Sequence, residues 1–346
     1  MIQSLIRPNL IKFQAYSSAR HLYQEGLFFD ANENPFGSVV KSLFGLELNR
    51  YPDPFARKLK ERLSEYVGVK PEALFTGVGS DEVIDLLIRL FVSEDEEVII
   101  FEPTYGMYRA AAEIAGVKIK TALLTSDFQI DFSVFKKQLT SKTKMVFCCS
   151  PNNPTGNLLE EEAILKLCKS FKGIVVVDEA YIEFASRPSL TAKLKKFENL
   201  VLLRTFSKAW GLAGIRVGYA VALPLIVEYL NKIKPPYNLN SVSASIAEQA
   251  LGKTAQVSRW IKVILREREK LGNVLEELGY EAFESEANFI LAKRRDASHL
   301  VKELARRFGI ITRDMSSKPH LEDCFRISVG TPRQNQKLKS ALRKIG

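Results

Sequence analysis

The chain has 346 residues, of which 46% are apolar, 26% charged and 10% aromatic; this is a globular composition and excludes a disordered or collagen-like chain. No apolar run reaches the ~20 residues that a bilayer span needs. The formal net charge of +10 gathers in residues 251–346, where 20 Lys and Arg face 12 Asp and Glu. This excess lies on helix-like stretches such as ILREREKL and VKELARRFG and carries no nucleic-acid-binding pattern, so it reads as a solvated basic surface.

The opening segment, MIQSLIRPNLIKFQ, lacks the charged, apolar and cleavage regions of a signal peptide, and a cytoplasmic protein is expected. The first 35 residues are irregular, punctuated by PNL, YSSAR and NENPFG. From about residue 72 to 222, buried-strand runs (ALFTG, EVIIF, KMVFCCS, GIVVVDEAY, NLVLLRTFS, IRVGYAVA) alternate with amphipathic stretches (DEVIDLLIRLFV, YGMYRAAAEIAG, EEEAILKLCKSF). Such alternation predicts an α/β domain whose mostly parallel sheet is sandwiched by helices, with ligands at the carboxyl ends of its strands. A long helix is expected over roughly 254 to 278, ending at Gly279. It is followed by FESEANFILAKR, the helix ASHLVKELARRFG, the strands IITRDM and FRISVGT, and a basic terminal helix. The chain is thus expected to divide into an arm (1–35) packing with the small domain, a large α/β domain (36–240) and a smaller α+β domain (241–346).

Four cysteines (Cys148, Cys149, Cys168, Cys324) form no CxxC pair, and three histidines are scattered, so neither a metal site nor a Ser-His-Asp triad is expected.

Four motifs follow predicted strands. In TFSKAWGLAGIR, Lys208 stands among hydroxyls with Arg216 eight residues on. A lysine there can form an imine with an aldehyde, and the hydroxyls and guanidinium can hold a phosphate of the same ligand. In GVGSDE (Gly77 to Glu82) glycines precede a helix whose first amides can bind an anion, although Glu82 takes the third glycine position of a dinucleotide fingerprint. PNNPTG (Pro151 to Gly156) is a fixed turn that can present Asn153. In VVVDEAY, Asp178 follows an apolar strand; a buried carboxylate needs a partner, and a protonated pyridine nitrogen is one. Alone, Lys208 reads as a surface lysine after a strand, GVGSDE as a capped turn, PNNPTG as a tight connecting turn, and Asp178 as a buried Asp capping the turn that follows it.

Together and in this order they resemble the fold-type I aminotransferases, which use pyridoxal 5′-phosphate (PLP), along essentially the whole chain. The resemblance implies that Lys208 binds the cofactor as an imine and then moves a proton between the substrate Cα and the cofactor C4′. Asp178 would hold the pyridine nitrogen protonated, Asn153 and Tyr181 would hydrogen-bond the ring oxygen, and Tyr105 would stack on the ring. The phosphate would lie against Gly79, Ser80, Asp81, Thr205, Ser207 and Arg216. Tyr51, in NRYPDP, would reach it from a neighbouring subunit, implying a homodimer with shared sites.

Tyr16 to Arg20 (YSSAR), DANENPFG, RYPDP and VVVDEAYIEF narrow the resemblance to the histidinol-phosphate aminotransferase family. This implies an amino-group exchange between L-histidinol phosphate and 2-oxoglutarate in histidine biosynthesis. Arg326, in CFRISVGT, would take the carboxylate of one substrate and the phosphate of the other, with Tyr16, Arg20 and Asn32 around the substrate. Ala15 and Trp210 depart from common family usage at positions expected to flank the substrate. Threonine-phosphate decarboxylases and aromatic amino-acid aminotransferases are the alternatives.

Overall fold

The computed structural model describes residues 27–30, 32–36 and 52–345. Tyr16, Arg20, Tyr51 and Ala15 lie outside the described residues.

Seven strands form the central sheet: β2 (Leu74–Val78), β3 (Glu97–Glu102), β4 (Lys118–Leu123), β5 (Thr143–Cys149), β6 (Ile174–Asp178), β7 (Leu200–Thr205) and β8 (Val217–Val221). Their order is β2-β8-β7-β6-β5-β3-β4. All neighbours are parallel except β8, which runs antiparallel to both β7 and β2. Side chains alternate between faces. Val175 and Val177 enter one apolar core with Val146 and Leu202, while Val176 enters another with Phe147 and Leu203.

Helices cover both faces, as the near-continuous apolar strands require. On the Val176 side lie α2 (Gly79–Phe91), α3 (Met107–Ala115) and α6 (Pro224–Ile233), through residues such as Ile84, Ala112 and Leu230. The other side is covered by α1 (Arg57–Val67), α4 (Phe132–Gln138), α5 (Glu161–Ser170) and α7 (Ser241–Leu251), through residues such as Leu63, Phe135, Leu167 and Ala250.

The sequence reading did not single out β4. Its KIKTAL segment carries two lysines and only one buried residue, because it is the sheet's outermost strand, where lysines protect an unpaired edge.

The long helix α8 (Thr254–Glu277) places Val257 and Ile264 against the large sheet and Leu271 and Leu275 in a separate core. That second core also takes residues of α9 (Ala297–Phe308), α10 (Pro332–Ile345), β10 (Phe289–Lys293) and β13 (Cys324–Ser328), and these two strands form an antiparallel sheet with β9 (Glu281–Ala282) and β12 (Arg313–Asp314) in the order β12-β13-β10-β9. The expected single strand IITRDM divides in two. Its first part, β11 (Ile310–Ile311), pairs in parallel with β1 (Leu27–Phe28), and its second is β12, which pairs with β13. The chain turns between them at the buried Thr312, so one short run serves two sheets.

Candidate active site

The carboxyl ends of the parallel strands share one edge of the sheet, and the sequence drops its polar motifs there. β6 ends in Asp178, β5 leads into Pro151 to Gly156, β3 into Tyr105, and β7 into Ser207 and Lys208. Because β8 is antiparallel, the residue preceding it, Arg216, arrives at the same edge. Lys208, Asp178, Tyr181, Asn153, Tyr105, Ser80, Asp81, Thr205, Ser207, Arg216, Asn32 and Arg326 thereby line a single cavity of about 250 Å³.

One end of the cavity meets the start of a helix. The first-turn amides of a helix lack intrahelical acceptors, and Ser80 and Asp81, at the start of α2, line the cavity. The Val78 amide is taken by Glu82 Oε2 at 2.6 Å. Gly79 sits at φ 74°, and a Cβ there would come 2.7 Å from an Arg216 nitrogen. Gly218 is needed for another reason: a Cβ would strike the backbone of Gly79 and Ser80, which cross directly over it. Arg216 Nη2 pairs with Asp81 Oδ2 at 3.1 Å, and Asp81 Oδ1 accepts from the Tyr105 hydroxyl at 3.1 Å. The Thr205 hydroxyl donates to Ser207 Oγ at 3.0 Å. Arg216 (φ 53°) and Asn32 (φ 52°) hold left-handed backbone conformations that are costly for residues other than glycine.

The cavity floor holds Asp178, only 2% exposed. Its Oδ1 accepts from the Ala180 amide at 3.0 Å and its Oδ2 from the Tyr108 hydroxyl at 2.8 Å. Burial pushes its carboxyl up to about 6, with the Tyr108 and Ala180 hydrogen bonds and the Lys208 charge opposing the rise and Asp81 adding to it. Lys208 Nζ lies 5.6 Å from the centre of the Tyr181 ring. The Tyr181 hydroxyl accepts from Asn32 Nδ2 at 3.2 Å and Asn153 Nδ2 at 3.3 Å. Burial also raises the Tyr181 hydroxyl, with the charge of Arg326 acting against it.

From β13, the buried Arg326 donates from Nη1 to Asn153 Oδ1 and from Nη2 to the Asp30 carbonyl at 2.6 Å. Asn32 is fixed by Ser328, whose hydroxyl donates to Asn32 Oδ1 at 2.8 Å.

Sequence reasoning missed Asp30, Glu33, Cys149 and Arg313 in the lining, and Tyr108 behind it. Arg313 stands directly opposite Arg326 in the β12–β13 register, a relation visible only once the strands pair. Tyr108 stands in the first turn of α3, three residues after Tyr105 in the loop that precedes it, and the two rings meet edge-on at 5.6 Å. Trp210, expected to flank the substrate, is instead 1% exposed and packs on Phe206 and Tyr66 in the large core. All four cysteines are free and buried, and burial pushes the Cys149 thiol up to about 12, far from a reactive thiolate. Among the described residues no cluster of metal-ligating side chains occurs and no helix is long and apolar enough to cross a membrane.

Residues 29–344 match the family model for aminotransferase class I and II. The chain is 40% identical to a histidinol-phosphate aminotransferase of Parabacteroides distasonis, over 99% of each chain. It is 42% identical to one of Cytophaga hutchinsonii, over 99% of this chain and 98% of that one. The fold is shared with the crystal structure of histidinol-phosphate aminotransferase from Sinorhizobium meliloti in complex with pyridoxal-5′-phosphate (TM-score 0.88, 23% identity, 99% of each chain). This chain therefore belongs to the class I and II aminotransferases and, within them, to the histidinol-phosphate aminotransferase family.

Proposed function

We propose that this chain exchanges an amino group between L-histidinol phosphate and 2-oxoglutarate, giving imidazole acetol phosphate and L-glutamate, with PLP in the cavity. The observation that carries the reading is the meeting, in one cavity, of the Lys208 amine, the buried Asp178 carboxylate and an anion-binding helix start. The residues fit this cofactor. The left-handed Gly79 beside Arg216 makes room where a phosphate needs donors, and Asp178, raised by burial, gains from a cationic ring nitrogen.

When bound, PLP supplies an aldehyde for the amino group and a protonated ring that withdraws electrons from the bond being broken. Lys208 would hold it through its amine, and the same amine would serve as the base that moves the substrate Cα proton. Asp178 would keep the ring nitrogen protonated, Asn153 and Tyr181 would hydrogen-bond the ring oxygen, and Tyr105 would stack on the ring. Ser80 and Asp81 amides, Thr205 and Ser207 hydroxyls and Arg216 hold the phosphate beside Gly79. Arg326 takes the carboxylate of 2-oxoglutarate and the phosphate of the donor in alternate half-reactions, and Arg313 adds a second guanidinium at the same wall.

Asn32 donates to the Tyr181 hydroxyl; the family resemblance assigns substrate contacts to Tyr16 and Arg20, and a contact with the phosphate across a cytoplasmic homodimer to Tyr51, all three outside the described residues. The same reading divides the chain into an arm (1–35), a large domain (36–240) and a small one (241–346), supported by the separate core around Ile290, Leu304 and Leu338.

A visible-absorption titration of the PLP-loaded protein tests the proposal. L-Histidinol phosphate should bleach the visible band and 2-oxoglutarate should restore it. Bleaching by an aromatic amino acid alone, or carbon dioxide release from threonine phosphate without 2-oxoglutarate, would replace this substrate assignment.

A further inference from the structure

Asp178 owes its setting to a residue that no cavity contact reveals. A carboxylate offers about four acceptor positions, and the Tyr108 hydroxyl donates to one of them on Asp178 at 2.8 Å. Tyr108 is fully buried, stacked on Phe147 at 4.8 Å with the rings 8° apart, and edge-on to Tyr105 at 5.6 Å. Its hydroxyl is therefore fixed by ring packing and does not follow the carboxylate.

We propose that Tyr108 is a positioning residue for Asp178: its hydroxyl fixes the carboxylate's orientation and keeps it the anion that a protonated cofactor ring nitrogen requires. The proposal rests on the assignment of Asp178 made above. Burial works against that anion, and a protonated carboxyl cannot serve as counter-charge to a cationic ring. The groups facing Asp178 are few. Lys208, after β7, attracts and Asp81, on α2, repels; the Cys149 thiol on β5 and the Tyr181 hydroxyl stay protonated. Tyr108, on α3, is also held in its protonated form by burial and by Asp178, so it acts only as a donor in this pair. The second carboxylate oxygen keeps its backbone bond to Ala180, which leaves acceptor capacity on both oxygens for the ring nitrogen.

The test is equilibrium binding of PLP to the cofactor-free protein between pH 5.5 and 8.5, for the wild type, Tyr108→Phe, Asp178→Asn and the double variant. Loss of one hydrogen bond to a charged group should weaken PLP about tenfold in Tyr108→Phe at neutral pH. The acid-side fall in affinity should move up by about one pH unit, because the carboxyl loses a bond that favours its charged form. A PLP analogue with a C–H in place of the ring nitrogen should bind wild type and Tyr108→Phe alike, and Tyr108→Phe should add nothing in the Asp178→Asn background. Equal loss for PLP and the analogue, or a full loss persisting without Asp178, would mean that Tyr108 only packs. If Asp178→Asn itself binds PLP normally, the Asp178 assignment falls and takes this proposal with it. Should Tyr108→Phe not fold, 3-fluorotyrosine at position 108 alone, a stronger donor, must move the acid limit downward; no movement overturns the proposal.

Discussion

Asp178 and Glu179 are adjacent buried acids whose surroundings have little in common. Strand alternation sends them to opposite faces of the sheet edge. Glu179 is tied down completely: Oε2 accepts from the Ser189 hydroxyl at 2.5 Å, Oε1 accepts from the Leu190 amide at 2.8 Å, and the Arg204 charge lies nearby. Arg204 in turn pairs with Glu183 at 2.7 Å. Asp178 has two donors and opens on a cavity. Burial raises both carboxyls and neighbouring protein groups oppose the rise on each side, but only Asp178 lines the cavity. A buried acid whose partners are all in place is scaffold, and one that opens on a cavity awaits a ligand.

Variants on the two faces can break that contrast. The largest effect is expected at Lys208, where Lys208→Ala should lower turnover roughly 10⁴-fold or more. Residual steady-state transamination near the wild-type rate would remove the lysine from the mechanism. Next, Asp178→Asn should cut kcat roughly 10² to 10⁴-fold, while thermal unfolding of the cofactor-free protein near pH 4, where the wild-type carboxyl is also neutral, hardly changes. Glu179→Gln should do the reverse, losing about 1–3 kcal/mol of stability with kcat within about threefold of wild type. Should the two variants exchange these phenotypes, the assignment of scaffold and site is inverted.

Arg326→Gln should raise KM for both substrates roughly 10 to 100-fold, since a charge-assisted pair is lost on each half-reaction. Arg313→Gln should raise it by less, because Arg326 remains. A larger effect at Arg313 in steady-state kinetics would make it the principal anion ligand.

The smallest effect concerns pH. An acid whose folded value lies near 6 instead of 3.8 binds its proton more tightly when folded, so stability is greatest below about 4 and falls as pH rises through 6. For the cofactor-free protein this amounts to at most on the order of 3 kcal/mol. Thermal midpoints measured from pH 4 to 7 should decline in the wild type and flatten in Asp178→Asn. Parallel curves would assign the decline to other groups.

Much of this contrast was legible in the sequence. The inner strands announce themselves as apolar runs, and each ends in a polar motif because the sheet's edge is where burial stops. Asp178 was singled out over Glu179 because it directly follows three valines. Three features were hidden by non-local pairing. Arg313 becomes a neighbour of Arg326 only through the β12–β13 register. Gly218 reads as an ordinary strand glycine until α2 is seen crossing it. Trp210 follows Lys208 closely, yet the 3₁₀ turn and small residues after it direct the indole into the core.

The placement of β8 bears on how the protein folds. Among the described residues β2 pairs only with β8, so Leu74–Val78 must wait for Val217–Val221, a separation of more than a hundred residues, before the start of α2 at the cavity is anchored. Contacts of such sequence separation form slowly, because chain closure precedes any reward. The cavity therefore does not exist in partly folded chains that lack β8, and a ligand that needs it binds the completed sheet alone. By mass action each tenfold excess of that ligand over its dissociation constant adds about 1.4 kcal/mol to the stability of the whole molecule. Saturation with cofactor should accordingly slow amide exchange throughout the central strands, well beyond the residues that line the cavity.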